Sequence, residues 1–210
     1  MNIYYRDMSN RVLNIYKSRK TLLELLENQK YDVSPYNNFG INEVDAMYTN
    51  SQLDMLLNRK EDDSNVYVNY FKKSDSLDAI IEDLFDIECC LKDKTKDYII
   101  LVMQEEPNNT ILDKVKYLFD KEGYFIIPYN IDRLQFNVLN HELVPNGTVL
   151  NKEEEAELFL KYHLTSSNNL PEISRFDPQA MALGLRPGQI IRLERKSPTA
   201  MISLYYRVCV

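Results

Sequence analysis

Catalysis needs carboxylates, imidazoles, thiols or cations at workable spacing, and this chain offers few such sets. Asp97 precedes the apolar run Tyr98-Ile99-Ile100-Leu101-Val102-Met103, and Glu105 and Glu106 follow it. Carboxylates beside a strand can hold Mg²⁺ for phosphodiester cleavage. A nuclease site of that kind adds a Lys beside the second acid. Here Pro107 and Asn108 occupy that neighbourhood, and no Glu-x-Lys triplet lies on a candidate strand. The two histidines, His141 and His163, have no third ligand at metal spacing. Cys89, Cys90 and Cys209 form no C-x-x-C pair, and the five glycines build neither a phosphate loop nor a G-x-S-x-G elbow. The expectation is therefore no catalytic residue, no metal, no cofactor and no small-molecule substrate. A nuclease fold with Mg²⁺ stands as the enzymatic alternative.

A second set is basic and aromatic. Arg186, Arg192, Arg195, Lys196 and Arg207 interleave with Tyr205 and Tyr206, a mixture that single-strand nucleic-acid binders also use. A free-standing nucleic-acid-binding module is thus a further alternative. The formal charge of −7 and Glu194 in the middle of the patch argue against it. A protein-docking surface accounts for the patch better, since a terminal hairpin offers an outer edge that a partner strand can extend.

The elements that must position these groups are legible towards the C-terminus. Asp177-Pro178 starts a helix, with a carboxylate cap and Pro in the first turn. Met181 and Leu185 give that helix an apolar side, and Gly184 suits a left-handed residue at its end. Arg186-Pro187-Gly188-Gln189 has Pro and Gly at the central positions of a type II turn. Strands over 189–195 and 201–210 follow. Along the second, Ile202, Leu204, Tyr206, Val208 and Val210 alternate with Ser203, Tyr205, Arg207 and Cys209, giving one apolar face and one mixed face. Upstream, residues 138–149 read as a hinge, and Asn151 with Glu154 forms a capping box.

The motif order D-P-x-A, L-G-L-R-P-G-Q-I-I-R-L, R-x-S-x-T-A and Y-Y-R, with His141-Glu142-Leu143-Val144-Pro145 upstream, closely resembles the C-terminal assembly domain of one RNA polymerase subunit family. This is the family of the fifth-largest subunit shared by the eukaryotic nuclear RNA polymerases, which has a shorter counterpart in archaea. The resemblance implies an α/β N-terminal jaw domain over 1–138 and a small α+β C-terminal assembly domain over 139–210. It implies a non-catalytic subunit of a DNA-directed RNA polymerase. The C-terminal domain would meet the largest subunit and a neighbouring small subunit through His141, Glu142, Leu143, Val144, Pro145, Asp177, Pro178, Gly184, Arg186, Gly188, Gln189, Arg192, Arg195, Tyr206 and Arg207. The jaw would help hold downstream double-stranded DNA, with Arg11, Lys17, Lys20, Asn108 and Asn109 nearest to it. Two departures stand out. The family's T-P-S-A loop is replaced by Glu105-Glu106-Pro107-Asn108-Asn109, whose carboxylates repel phosphate. Its S-E-T hairpin tip is replaced by Ser197-Pro198-Thr199-Ala200, where Pro198 removes an N–H.

The N-terminal half gives periodicities rather than motifs. Residues 7–29 form an amphipathic helix, with Met8, Val12, Ile15, Leu22 and Leu26 inward and Arg11, Lys17, Arg19 and Lys20 on a solvated face. Lys30 stands where the family has Gly, so this helix is expected to end differently. Residues 43–58 read as a second helix. From Val66 to Ile127 the pattern is strand, helix, strand, helix, strand, with helices over 77–91 and 111–121 and a last strand cut short at Pro128. The whole charge deficit lies in residues 1–140, while residues 141–210 are balanced. No run of about eighteen apolar residues exists, so no membrane partner is expected. Abundant Asn, Lys, Tyr and Ile and the lack of Trp match AT-rich codons. With the resemblance, that points to a large DNA virus of eukaryotes or to a protist; a viral source would place the protein in virions and host cytoplasm, and a cellular source would place it in the nucleus.

Overall fold

The structure is a computed structural model describing residues 2–71, 77–85, 91 and 93–210. The chain forms two compact units, Met1–Phe136 and Asn137–Val210. The division falls two residues before the expected 138/139 boundary, because Asn137 caps the short 3-10 turn that opens the second unit, accepting from Leu139 N at 3.0 Å. The stretch 138–149 is accordingly part of the second unit, not a hinge.

In the first unit, helix α1 spans Asn2–Asn28. It buries Ile15, Leu22, Leu23, Leu25 and Leu26. Its end corrects the expectation for Lys30. Lys30 takes the left-handed conformation itself, with φ 69°. Tyr31 N–H reaches Leu26 O at 3.0 Å and Lys30 N–H reaches Glu27 O at 2.8 Å, which is the Schellman pattern a Gly would make. Arg19 is a second correction: it is only 3% exposed. It donates to Leu53 O at 3.0 Å, with its guanidinium 5.6 Å from the Tyr36 ring and 5.5 Å from the Phe39 ring.

Helix α2 covers only Ile41–Thr49, and strand β1 takes Met55–Arg59. The expected helix over 43–58 therefore breaks halfway. Ser51 sits at φ 55°, and beyond it Leu53, Met55 and Leu57 are buried at every second position, the period of a strand. Strand β2 (Ser64–Tyr70) returns from β1 as a hairpin. Helix α3 (Leu77–Phe85), strand β3 (Tyr98–Met103), helix α4 (Asn109–Glu122) and strand β4 (Ile126–Asn130) follow. Cys89, Cys90 and Ile87 lie outside the described residues.

The sheet order is β1-β2-β3-β4, with β2, β3 and β4 parallel and β1 antiparallel at one edge. All six residues of β3 are buried, as a central strand covered on both faces requires. Pro128 does not end β4. It lies inside it opposite Leu101, tolerated because β4 is an edge strand whose missing N–H is not needed by a further neighbour. Gly123, at φ 81°, stops α4 as expected.

The second unit holds β5 (Asn146–Val149), α5 (Lys152–Tyr162), β6 (Glu172–Ile173), α6 (Pro178–Ala182), β7 (Ile190–Ser197) and β8 (Met201–Cys209). Its sheet order is β5-β7-β8-β6. Both capping predictions are met: Asn151 and Glu154 cap α5 reciprocally, and Asp177 accepts from Gln179 N at 2.9 Å to start α6. Gly184 (φ 63°) and Gly188 (φ 88°) take the left-handed positions.

The apolar and mixed faces of β8 do not sort as the alternation implies. Cys209, on the mixed face, is buried with Ile173, Ala180, Leu185, Ile191 and Leu193. The other face packs Ile190 and Val208 against Leu150, Leu158 and Phe159. Both faces are thus covered at the base of the hairpin. Towards the tip neither is, and Ile202 stays 59% exposed and Leu204 46%.

Candidate partner-docking groove

The loop of His141 to Pro145 is held by its own backbone. His141 N–H reaches Val138 O at 3.2 Å, Val144 N–H reaches His141 O at 2.9 Å, and Leu143 N–H donates to His141 Nδ1 at 3.2 Å. The loop's far end is tied to α6, where the buried Gln179 donates from Nε2 to Pro145 O at 2.6 Å. Just beyond, Gly147 lets β5 lie close under α6. A Cβ there would stand 2.9 Å from Ile191 Cδ1, closer than real Cβ contacts come, and a tight 3.0 Å from Leu183 Cδ1. Gln179 and Gly147 escaped the sequence reading: the first is the x of D-P-x-A, and the second follows Asn146 in a pair that resembles a turn. A buried polar side chain and a missing Cβ become meaningful only once the helix and strand are seen to touch.

Between this loop and the hairpin lies an open groove of about 760 Å³, bounded by Leu139–Asn146 on one side and Glu194, Arg195, Lys196 and Ile202 on the other. Leu143 projects from the loop at 84% exposure, with His141 and Glu142 exposed beside it and Val144 and Pro145 half-buried. The structure thus joins the H-E-L-V-P residues and Arg195 round one concavity.

The rest of the expected docking set is spread differently. Asp177, Pro178, Gly184, Gly188 and Gln189 serve the fold as caps and turns, Gln189 accepting from Arg186 N at 2.8 Å. Arg192 and Arg207 do not share a surface. Arg192 pairs across the strands with Tyr206, and Arg207 with Ile191, so the alternation of the strands puts the two cations on opposite faces. Arg192 keeps a buried Nε with no acceptor among the described residues. Arg207 donates to Glu172 O at 2.9 Å. Arg195 lies 5.0 Å over the Tyr205 ring on the Arg207 face, and the Tyr206 ring meets that of Tyr162 at a tilt, centroids 5.9 Å apart, on the other. Buried Cys209 has its thiol pushed up to about 11 by desolvation, only partly offset by Arg175.

In the first unit, Lys17 and Lys20 share the exposed face of α1, whereas Arg11 points to α2, its guanidinium 4.6 Å over the Tyr48 ring. Tyr48 Oη in turn accepts from Gln104 Nε2 at 3.2 Å, which brings Arg11 to the loop after β3. In that loop Glu106 pairs with Arg133 at 3.1 Å. Asn108 caps α4, accepting from Ile111 N at 2.9 Å, and Asn109 is exposed in its first turn. Asp97 has a structural post. It is 1% exposed and accepts from Asn65 N at 2.7 Å and Asp93 N at 3.0 Å. It stands at the start of β3, while Glu105 and Glu106 stand beyond its end. At about 3.3 Å per strand residue, those carboxylates are roughly 20 Å apart, far too distant to share a metal ion.

The second unit thus presents an open groove of mixed polar and apolar lining beside a hairpin whose tip is exposed. Comparison with known proteins names the family. The model of the family RNA polymerase Rpb5, C-terminal domain, matches residues 136–209. Subunit Rpo5 of the DNA-directed RNA polymerase of Pyrococcus abyssi is 47% identical over 76 residues, 36% of this chain and 92% of the relative. Subunit rpabc1 of RNA polymerases I, II and III from Dictyostelium discoideum is 28% identical over 202 residues, 96% of this chain and 98% of the relative. The Caenorhabditis elegans RPABC1 subunit is 27% identical over 206 residues, 93% of this chain and 95% of the relative. The chain belongs to the Rpb5/Rpo5 family of DNA-directed RNA polymerase subunits.

Proposed function

We propose that this protein is a non-catalytic subunit that anchors itself to the largest subunit of its RNA polymerase through the second unit, beside a neighbouring small subunit. The first unit acts as the jaw that helps hold downstream double-stranded DNA. The observation that carries the docking is the groove between the H-E-L-V-P loop and the hairpin, with Leu143 and Ile202 exposed at its rim. Apolar groups held in water by a rigid loop are stabilised when a partner covers them.

For the jaw, support comes from Arg11, whose cation stands near the loop after β3, and from Arg133, which offsets one of that loop's two carboxylates. Lys17 and Lys20 add positive charge on a separate face. Localisation follows the source: virion and host cytoplasm for a chain from a large DNA virus, nucleus for a cellular one. The test is affinity purification of the tagged full chain from its natural source with mass spectrometry. Stoichiometric large polymerase subunits are expected. Recovery of the chain without them would sink the assignment.

A further inference from the structure

The outer edge of β8 is the feature that the fold leaves open. Strand β6 pairs with β8 only at Val208 and Cys209, and among the described residues no strand lies beside it from Met201 to Arg207. The direction of the free groups follows from the register. Cys209 N–H points to β7, donating to Gln189 O at 2.9 Å, whereas Val208 N–H points outward, donating to Pro171 O at 2.9 Å. The β7–β8 register runs without a bulge from Ile190↔Val208 to Ser197↔Met201, so the alternation holds along the strand. The N–H and C=O groups of Leu204 and Tyr206 therefore also point outward, past the end of β6.

Proteins that keep such an edge free guard it with charge, proline or a bulge. Met201-Ile202-Ser203-Leu204-Tyr205-Tyr206 has none of these. Its two faces differ in chemistry. Ile202 and Leu204 lie on one face, and Ser203, Tyr205 and Arg207 lie on the other, with Arg195 over Tyr205.

We infer that β8 receives an extended segment of the largest polymerase subunit as a fifth strand of this sheet. The segment alternates apolar residues, which cover Ile202 and Leu204, with residues on the opposite face that include a carboxylate for Arg207 and Arg195. Two apolar side chains and two cations fix the face that each kind of residue takes and with it the register, while the outward amides supply the ladder bonds. This rests on the docking proposed above and specifies the element that does it.

The test is amide hydrogen exchange on the full chain, alone and bound to the co-expressed largest subunit. Leu204 and Tyr206 amides exchange freely in the chain alone and become protected at least a hundredfold in the complex, while Ser203 and Tyr205, already bonded to β7, change far less. In parallel, Leu204→Pro, which removes an outward N–H and no β7 bond, weakens binding at least tenfold more than Leu204→Ala. Binding without protection at Leu204 and Tyr206 overturns the added strand and leaves the docking intact. No binding by the unmodified chain overturns both. Protection of the same amides in the chain alone at high concentration, with doubled mass, assigns the edge to a second copy and overturns the proposal.

Discussion

Replacing Asp97 separates a structural carboxylate from a catalytic one. Two of its bonds go to backbone N–H groups of Asn65 and Asp93, at 2.7 and 3.0 Å, and the residue is almost wholly buried. Asn65 lies at the start of β2, whose next residue, Val66, pairs with Tyr98, so this carboxylate joins the starts of two neighbouring strands. Asp97→Ala leaves both donors without their acceptor. A hydrogen bond to a charged group contributes about 1.5–3 kcal/mol, and Asp93 is exposed enough for water to replace part of its loss. The expected cost is about 3 kcal/mol. Asp97→Asn keeps one carbonyl oxygen and should lose about 1–2 kcal/mol. Equilibrium urea unfolding followed by circular dichroism reads both, with m unchanged. A stability loss under about 0.5 kcal/mol for Asp97→Ala would refute the capping argument. Metal-dependent DNA cleavage by the unmodified protein, abolished in a stably folded Asp97→Asn, would restore the nuclease reading.

Lys30→Gly should be more stable than Lys30→Ala by about 1 kcal/mol, since both lose the exposed Glu61 partner but only Gly relieves the left-handed backbone; equal melting temperatures would contradict it. Gly147→Ala should lose about 1–3 kcal/mol through overpacking against Ile191 and Leu183, and an unchanged melt would mean that β5 and α6 are further apart than described. Cys209 has a raised thiol pKa in the fold, so its contribution is complete below the unfolded value of about 8.5 and is lost as pH climbs through about 11. Stability of the unmodified protein should fall across that window more steeply than that of Cys209→Ala, and parallel curves would remove the thiol as the cause.

Local punctuation was the legible part of the sequence. Asp177, Gly184, Gly188, Asn151 and Gly123 each act where a cap or a left-handed turn requires that residue type, because such requirements are set within a few residues. The run Tyr98–Met103 read correctly as a central strand for a similar reason, since burial on both faces needs apolar residues without alternation. Errors came where distant contacts decided. Residues 55–57 carry apolar groups compatible with a helix, but pairing with 66–68 made them a strand. Arg19 reads as a surface cation until Tyr36, Phe39 and Leu53 O are brought round it. Arg192 and Arg207 read as one basic patch, and only the strand register shows that they face opposite ways. Of the docking set, the H-E-L-V-P residues and Arg195 meet at the groove, a juxtaposition across about fifty residues of chain that no local pattern contains.

The division of labour between the two units can be measured directly by the binding of residues 137–210 and residues 1–136, each alone, to the largest polymerase subunit. A relative with a matched length of 76 residues, close to that of the second unit, supports making the cut there. Residues 137–210 are expected to bind within about tenfold of the full chain, a difference of about 1.4 kcal/mol, and residues 1–136 to show no binding at the same concentrations. Binding carried by residues 1–136, or by the intact chain alone, would contradict the account.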